Sequence, residues 1–297
     1  MRGTRLPRST LALPAWFWFV FFFAVPVLWI VYYSFGYKPD LFHPIATDHL
    51  SLQRYVDAAS DTFLQTFLGT LRISLVDTLL CLVIGFPFAY WLAVKVRGSR
   101  RPLALALVLV PFWTNFLVRT IGWRILLAPT GPIAGVLDHL GLHAGPLDFL
   151  DTRGAVQLGV VYNYLPLMIL PLYVAMDRLD PSLREASNDL GASPARTFAQ
   201  VTLPLVMPGV VAGALLVFIP LTGDFITATV LGGAKGNMAG NMVYDQFLVA
   251  QDWALGAAMA VELIIMILAT TAVLGLVGLA VRGVVRSRRR VVLAGAS

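Results

Sequence analysis

Residues 180–204 read Asp180-Pro-Ser-Leu-Arg-Glu-Ala-Ser-Asn-Asp-Leu-Gly191, then Ala192-Ser-Pro-Ala-Arg-Thr-Phe-Ala-Gln-Val-Thr-Leu-Pro204. They form a polar island between two long apolar runs. Asp180 is a good helix N-cap, and Pro181 suits a first helical turn, where its missing N–H costs no bond. Helix-compatible residues follow to Gly191, a natural stop because glycine enters the left-handed region without a Cβ penalty. Ser193 and Pro194 restart a second short helix, which Pro204 is expected to close. Two short helices meeting at a glycine elbow make a stiff knuckle, and a stiff knuckle can transmit a push.

Outward from this island the chain is apolar. Of 297 residues, 58% are hydrophobic and only 13% charged, and the mean hydropathy is +0.77. That is too little charge to cover a soluble surface, so the bulk must sit in lipid. A helix needs about 20 apolar residues to cross the hydrocarbon core. Six stretches qualify: Leu11–Phe35, Phe67–Val94, Leu103–Leu127, Ala155–Met176, Leu205–Gly223 and Gly256–Val281. The expected architecture is an all-α integral membrane protein of six transmembrane helices. It comprises an N-terminal tail over 1–10, a transmembrane domain over 11–281 that carries the 180–204 loop, and a basic tail over 282–297.

Most of the 22 Lys and Arg lie on one side. They occupy the N-terminus (Arg2, Arg5, Arg8), the 95–102 loop (Lys95, Arg97, Arg100, Arg101), the 177–204 loop (Arg178, Arg184, Arg196) and the final tail (Arg282 to Arg290). Lys38, Arg54, Arg153 and Lys235 fall opposite. By the positive-inside rule both termini are expected to be cytoplasmic. These cations sit at span ends and form no surface stripe, so the net charge of +6 is a topology signal and does not point to nucleic acid. The first apolar stretch is too long for a signal h-region and ends in an aromatic belt at Trp29, Tyr32, Tyr33 and Phe35, so a retained span is expected. The single cysteine, Cys81, lies in an apolar run and is read as packing; His43, His49, His139 and His143 scatter over outer loops, and no metal role is assigned.

The 180–204 stretch also resembles a known pattern. Glu185-Ala186-Ser187, then Gly191, then Val201-x-Leu203-Pro204 is similar to the EAA loop of binding-protein-dependent ABC importer permeases, whose pattern is E-A-A, three residues, G, nine residues, I-x-L-P. Ser187 stands for the second Ala and Val201 for the Ile. Further likeness to the spermidine/putrescine permease branch runs through Pro111-Phe-Trp-Thr-Asn-Phe-Leu-Val-Arg-Thr120, Val161-Tyr-Asn-Tyr-Leu-Pro-Leu-Met-Ile-Leu-Pro171 and Gly223-Asp-Phe-Ile-Thr-Ala-Thr-Val-Leu-Gly-Gly233. The last departs from the branch at Ala228, Thr229 and Val230, which leaves the solute open. The resemblance implies that Glu185, Ala186, Ser187, Gly191, Leu203 and Pro204 couple the chain to a cytoplasmic ATPase. It also implies a heterodimer with a second homologous permease, two ATPase subunits that hold ATP and Mg, and an extracytoplasmic solute-binding protein. No Gly-x-x-x-x-Gly-Lys-Ser/Thr occurs, so this chain is expected to bind no cofactor and to catalyse nothing itself.

Ionisable residues inside spans cost roughly 2.5–3.5 kcal/mol each and usually face a cavity or a partner. Asp77, Asp224 and Glu262 map to the outer half of the bundle by helix counting. Three carboxylates beside an outward cavity would attract a polyamine, with cation–π contacts from Trp113, Tyr162 and Tyr164 and neutral hydrogen bonds from Asn115 and Asn163. The plainer readings are that Asp77 pairs with Arg72 or Arg119, that Asp224 sits in interfacial water, that Arg119 and Arg124 snorkel outward, and that the aromatics belong to the interfacial belt. Residues 128–154 carry apolar positions at helical spacing, giving a short outer helix. That helix is either a platform for the binding protein or a cap on the bundle.

Two other function classes predict different sequences. An ion-coupled secondary transporter would need an acid at mid-membrane as its coupling site, a part Glu262 could take, but it would leave the knuckle without purpose. A membrane enzyme would need nucleophile, base and acid converging at one depth, and the histidines lie in outer loops. Among importers, phosphonates, iron chelates and other small solutes remain alternatives to polyamines.

Overall fold

A computed structural model describes residues 13–96, 98–142 and 146–294, with the side chains of 234, 235, 277 and 279–294 excluded. The N-terminal tail 1–10, Arg97 and His143 lie outside the described residues, as do the side chains of Lys235 and of the basic tail 282–297. The described chain is helical, its one strand-like feature being an isolated bridge between Tyr37 and Ala46.

In chain order the helices are α1 (Leu13–Tyr33), α2 (Gln53–Ala58), α3 (Asp61–Lys95), α4 (Arg100–Trp113), α5 (Phe116–Leu126), α6 (Pro132–His139) and α7 (Arg153–Asp177). Then follow α8 (Ser182–Asp189), α9 (Pro194–Thr222), α10 (Ile226–Gly232), α11 (Ala239–Leu248) and α12 (Trp253–Ala294). Helices α1, α3, α7, α9 and α12 are each long and apolar enough to cross a membrane. The chain divides into two compact units, Met1–Leu64 with Met242–Ser297, and Gln65–Asn241.

The third expected span departs from its reading as one helix. Leu103–Leu127 is broken into α4 and α5, which meet at 90°. The cause is local. Thr114 turns extended (ψ 150°) after Pro111, and its hydroxyl bonds back to the Pro111 carbonyl at 2.6 Å. Asn115 (ψ 136°) then starts α5 anew, its Oδ1 accepting from the N–H groups of Leu117 at 2.8 Å and Val118 at 3.4 Å. A capping side chain that satisfies the first amides lets a helix restart in a new direction. The fifth span departs in the opposite sense. Pro204 was expected to close the second knuckle helix, yet α9 runs unbroken from Pro194 to Thr222. A π turn over Phe198–Thr202 widens the backbone just before Pro204, and the ring is accommodated without ending the helix.

In the Gln65–Asn241 unit, α3 buries one stripe: Phe67, Thr70, Ser74, Asp77, Cys81, Gly85, Ala89 and Leu92, a spacing of three and four residues. Helices α7 and α9 cross closely because Gly209 and Gly213, four apart, present no side chains. A Cβ at Gly209 would lie 2.8 Å from the Pro171 carbonyl oxygen, and one at Gly213 2.8 Å from Met168 Sδ. Small residues at this spacing let two backbones approach in lipid. Val156, Val160, Met168, Leu172, Val206, Val217 and Leu221 fill the core around that crossing. The short helix expected within 128–154 is α6.

In the other unit, the segment between α1 and α2 is tied down rather than loose. Lys38 donates to the Ala250 carbonyl at 2.7 Å, the Trp253 N–H to the Pro44 carbonyl at 3.1 Å, and Arg54 pairs with Asp57 and Asp252. Over 16–23 helix α1 shows its aromatic side chains outward, as a helix solvated by lipid does, while Tyr33 packs beside Trp253 of α12.

Candidate functional site

The 180–204 segment folds as a two-helix knuckle. Asp180 Oδ1 accepts the Ser182 N–H at 2.9 Å, and that backbone hydrogen bond holds the Asp180 carboxyl below its ordinary range. Helix α8 ends in a Schellman motif. The Gly191 N–H bonds to the Asn188 carbonyl at 2.8 Å, the Ala192 N–H to the Ser187 carbonyl at 3.1 Å, and Gly191 has φ +78°. Nothing lies within 4 Å of where a Cβ at Gly191 would stand, so glycine is required by backbone conformation and not by space. Ser193 then caps α9, its Oγ accepting from the Arg196 N–H.

A contact absent from the sequence reading braces the elbow. Thr197, buried at the start of α9, has its hydroxyl 2.9 Å from Ser187 Oγ and donates to Asn188 Oδ1 at 3.2 Å. Ser187 therefore does more than replace an alanine: with Asn188 it links α8 to α9. Phe198 stacks edge-on against Phe86 of α3 at 5.5 Å, which seats the root of α9 on that span. Glu185 and Ala186 remain exposed on the outer face of α8, while Leu203 and Pro204 belong to α9.

The residues expected along the solute path separate into distinct settings. Asn163, Tyr164 and Asp224 come together with residues of α5 and α10. Asn163, 1% exposed, donates to Thr120 Oγ1 at 3.1 Å and leaves its own Oδ1 unbonded. Tyr164 donates to Asp224 Oδ2 at 3.3 Å and packs against Phe116 at 6.0 Å. Asp224 does not sit in interfacial water. It is 6% exposed, and it accepts the Thr227 N–H at 3.0 Å and the Thr227 hydroxyl at 2.6 Å, so its carboxylate organises the turn into α10. Arg119, for which outward snorkelling and pairing with Asp77 were the plainer readings, lies with this group. Its guanidinium faces the rings of Phe112 (5.4 Å) and Phe116 (5.7 Å), within electrostatic reach of Tyr162 and Tyr164. Its Nε and Nη1 are buried without a hydrogen-bond partner. Arg124 instead bonds the Val230 carbonyl and approaches Asp151 at 4.0 Å.

Asp77 occupies the buried stripe of α3. One turn earlier, Ser74 is bonded by Thr222, and Thr70 by the Ala239 N–H. Asp77 is fully buried, faces Gln157 of α7, and neither of its oxygens forms a hydrogen bond. Arg72 is exposed, and among the described residues Asp77 pairs with neither Arg72 nor Arg119. Trp113 stands 80% exposed at the α4–α5 break. Asn115 has committed its side-chain oxygen to capping α5. Tyr162 is half-exposed, its ring edge-on to Trp123 at 5.3 Å. Glu262 belongs to the other unit, half-buried on α12 with Oε2 unpartnered.

Among the described residues no cluster could hold a metal ion. Thr120, Thr197 and Asn188 escaped the sequence reading because a lone hydroxyl or amide carries no local pattern. The Gly209-x-x-x-Gly213 spacing was a usable signal for the α7–α9 crossing.

Comparison with known proteins completes the assignment. The model of the family "Binding-protein-dependent transport system inner membrane component" matches residues 85–291. The spermidine/putrescine transport system permease protein PotB of Haemophilus influenzae is 38% identical over 250 residues, covering 84% of this chain and 86% of that one. PotB of Escherichia coli K12 is 40% identical over 248 residues, covering 84% and 89%. A chain of a bacterial ABC transporter involved in import of the acidic polysaccharide alginate superposes with a TM-score of 0.66 over 89% of this chain and 92% of that one. At 16% identity that likeness speaks for the fold alone. The chain belongs to the family of binding-protein-dependent transport system inner membrane components.

Proposed function

We propose that this chain is the permease subunit of an ATP-driven importer of spermidine- and putrescine-like polyamines. It would pair with a second, homologous permease, dock two ATPase subunits that hold ATP and Mg, and receive solute from an extracytoplasmic binding protein. Its termini and the 180–204 loop would face the cytoplasm. The single observation that carries the reading is the knuckle: Glu185 and Ala186 stand exposed on a helix held at a fixed angle by the Gly191 elbow and the Ser187–Thr197–Asn188 brace. Such a rigid body can pass ATPase closure to α7 and α9. Identity to the PotB permeases supports the polyamine. Trp113, Asn115, Tyr162, Asn163, Tyr164, Asp77 and Asp224 of the Gln65–Asn241 unit, and separately Glu262 of the other unit, are the residues proposed to meet the solute. In that assignment Asp224 acts chiefly by holding Tyr164 and α10 in place.

A second reading has one observation in its favour. Arg119 keeps Nε and Nη1 free of hydrogen-bond partners beside the Phe112 and Phe116 rings, and such donors suit an anionic solute. Both readings are tested on the complex reconstituted in liposomes with its binding protein. Polyamine-stimulated ATP hydrolysis that collapses in Glu185→Ala supports coupling and solute together. Stimulation by anionic solutes alone would overturn the polyamine, and failure of any ATPase subunit to assemble with the chain would overturn the importer.

A further inference from the structure

Arg101 has three partners on two other helices. Helix α3 ends in the π turn Trp91–Lys95, after which Val96 is extended (ψ 121°), so the carbonyls of its final turn lack intrahelical partners. Arg101 Nη2, from the first turn of α4, donates to one of them, Ala93 O, at 3.3 Å. The same nitrogen bonds Asp177 Oδ1, the last residue of α7. The guanidinium also lies 5.2 Å from the ring centroid of Tyr173, one turn earlier on α7. Asp177 stands three residues before Asp180, where the coupling loop begins.

We propose that Arg101 is a positioning residue that pins the ends of α3, α4 and α7 together at the root of the coupling loop. A cation is favoured beside the carbonyl end of α3, and an acid at the carbonyl end of α7 needs a cation to offset it. One guanidinium meets both demands. Its planar fork lets it stack on Tyr173 while donating, a combination that a lysine ammonium cannot reproduce. As the coupling knuckle moves, α7 moves with it, and Arg101 hands the displacement to α3 and α4. This role rests on the importer reading above; the pin itself does not.

The test uses the full complex in lipid nanodiscs and liposomes, with Arg101→Gln, Arg101→Lys and Asp177→Asn. Hydrogen–deuterium exchange over 91–96 and 178–191 reads the pin without reference to transport. Arg101→Gln is expected to speed exchange in both segments roughly five- to tenfold, since the pair is partly exposed and its charge-assisted bonds are weakened by solvent. Arg101→Lys should recover less than half of that protection. Solute moved per ATP hydrolysed reads the consequence: it should fall several-fold in Arg101→Gln while hydrolysis persists. Unchanged exchange over 91–96 in Arg101→Gln would overturn the pin, as would full rescue by lysine. Asp177→Asn removes charge alone; if Arg101→Gln fails to insert, it is expected to speed exchange over 178–191, and unchanged exchange there would overturn the pin. If the wild-type complex moves no solute with ATP, the importer reading falls, and the exchange result still decides the pin.

Discussion

Replacing Thr197 by valine keeps the side chain's shape and deletes its hydroxyl, which makes the brace between α8 and α9 separable from packing. The hydroxyl takes part in two neutral hydrogen bonds, at 2.9 Å to Ser187 Oγ and 3.2 Å to Asn188 Oδ1. Each such bond is worth about 0.5–1.5 kcal/mol net. Ser187 is only half-buried and Asn188 exposed, so water takes over their lost partners and the lower half of that range applies. The sum is about 1.5 kcal/mol, close to a tenfold change in the local opening equilibrium. The amides of Gly191 and Ala192 report that opening, because they close the elbow onto the carbonyls of Asn188 and Ser187. In hydrogen exchange on the intact chain in nanodiscs, both are expected to exchange about tenfold faster in Thr197→Val, and near the wild-type rate in Thr197→Ser. Acceleration below about twofold, or a serine variant as fast as valine, would refute the claim that these hydroxyls hold the knuckle.

Three further outcomes follow from the same geometry. Gly191→Ala meets no atom but must hold φ near +78°, which costs about 1–2 kcal/mol, offset by about 0.4–1 kcal/mol from the stiffer unfolded chain; Ala192 exchange should rise by a few-fold, and Gly191→Asn should be milder. Gly209→Ala places a methyl 2.5 Å from the Ala175 Cβ and 2.8 Å from the Pro171 carbonyl oxygen, so the α7–α9 crossing should lose about 1–3 kcal/mol. Thermal unfolding in detergent should show a midpoint several degrees lower, whereas Gly122→Ala, with nothing within 4 Å, should not. Asn115→Ala removes the cap on the Leu117 and Val118 amides at about 1 kcal/mol, and Asn115→Asp keeps it. Spin labels at Leu103 and Ile125 should give a broadened distance distribution in the alanine variant and a narrow one in the aspartate variant.

Much was legible in the sequence because it depends on what neighbours along the chain are. A run of twenty apolar residues calls for a helix whatever surrounds it, since lipid offers the backbone no partner; hence α1, α3, α7, α9 and α12. The elbow at Gly191 was legible for the same reason: cap, restart and left-handed turn are each set within a few residues. Likewise, the order and spacing of Glu185, Gly191 and Pro204 were enough to place the chain in its family.

Tertiary structure decided what depends on a partner far along the chain. Proline 204 looked like a stop, and only the widened π turn before it shows how α9 passes through. Asn115 gave no sign of a helix cap and Arg101 looked like a topology marker until the break at α4–α5 and the ends of α3 and α7 showed what each touches. Arg119 turns inward against Phe112 and Phe116, while Asp77, on the same buried stripe as Ser74 and Thr70, is left without the hydrogen bonds they receive. Hydropathy counts how much a segment prefers lipid, but a hydrogen bond or ion pair is fixed by where two helices cross. That crossing is set by glycines 209 and 213 and by the packed core around them, and no single stretch of sequence contains both sides of it.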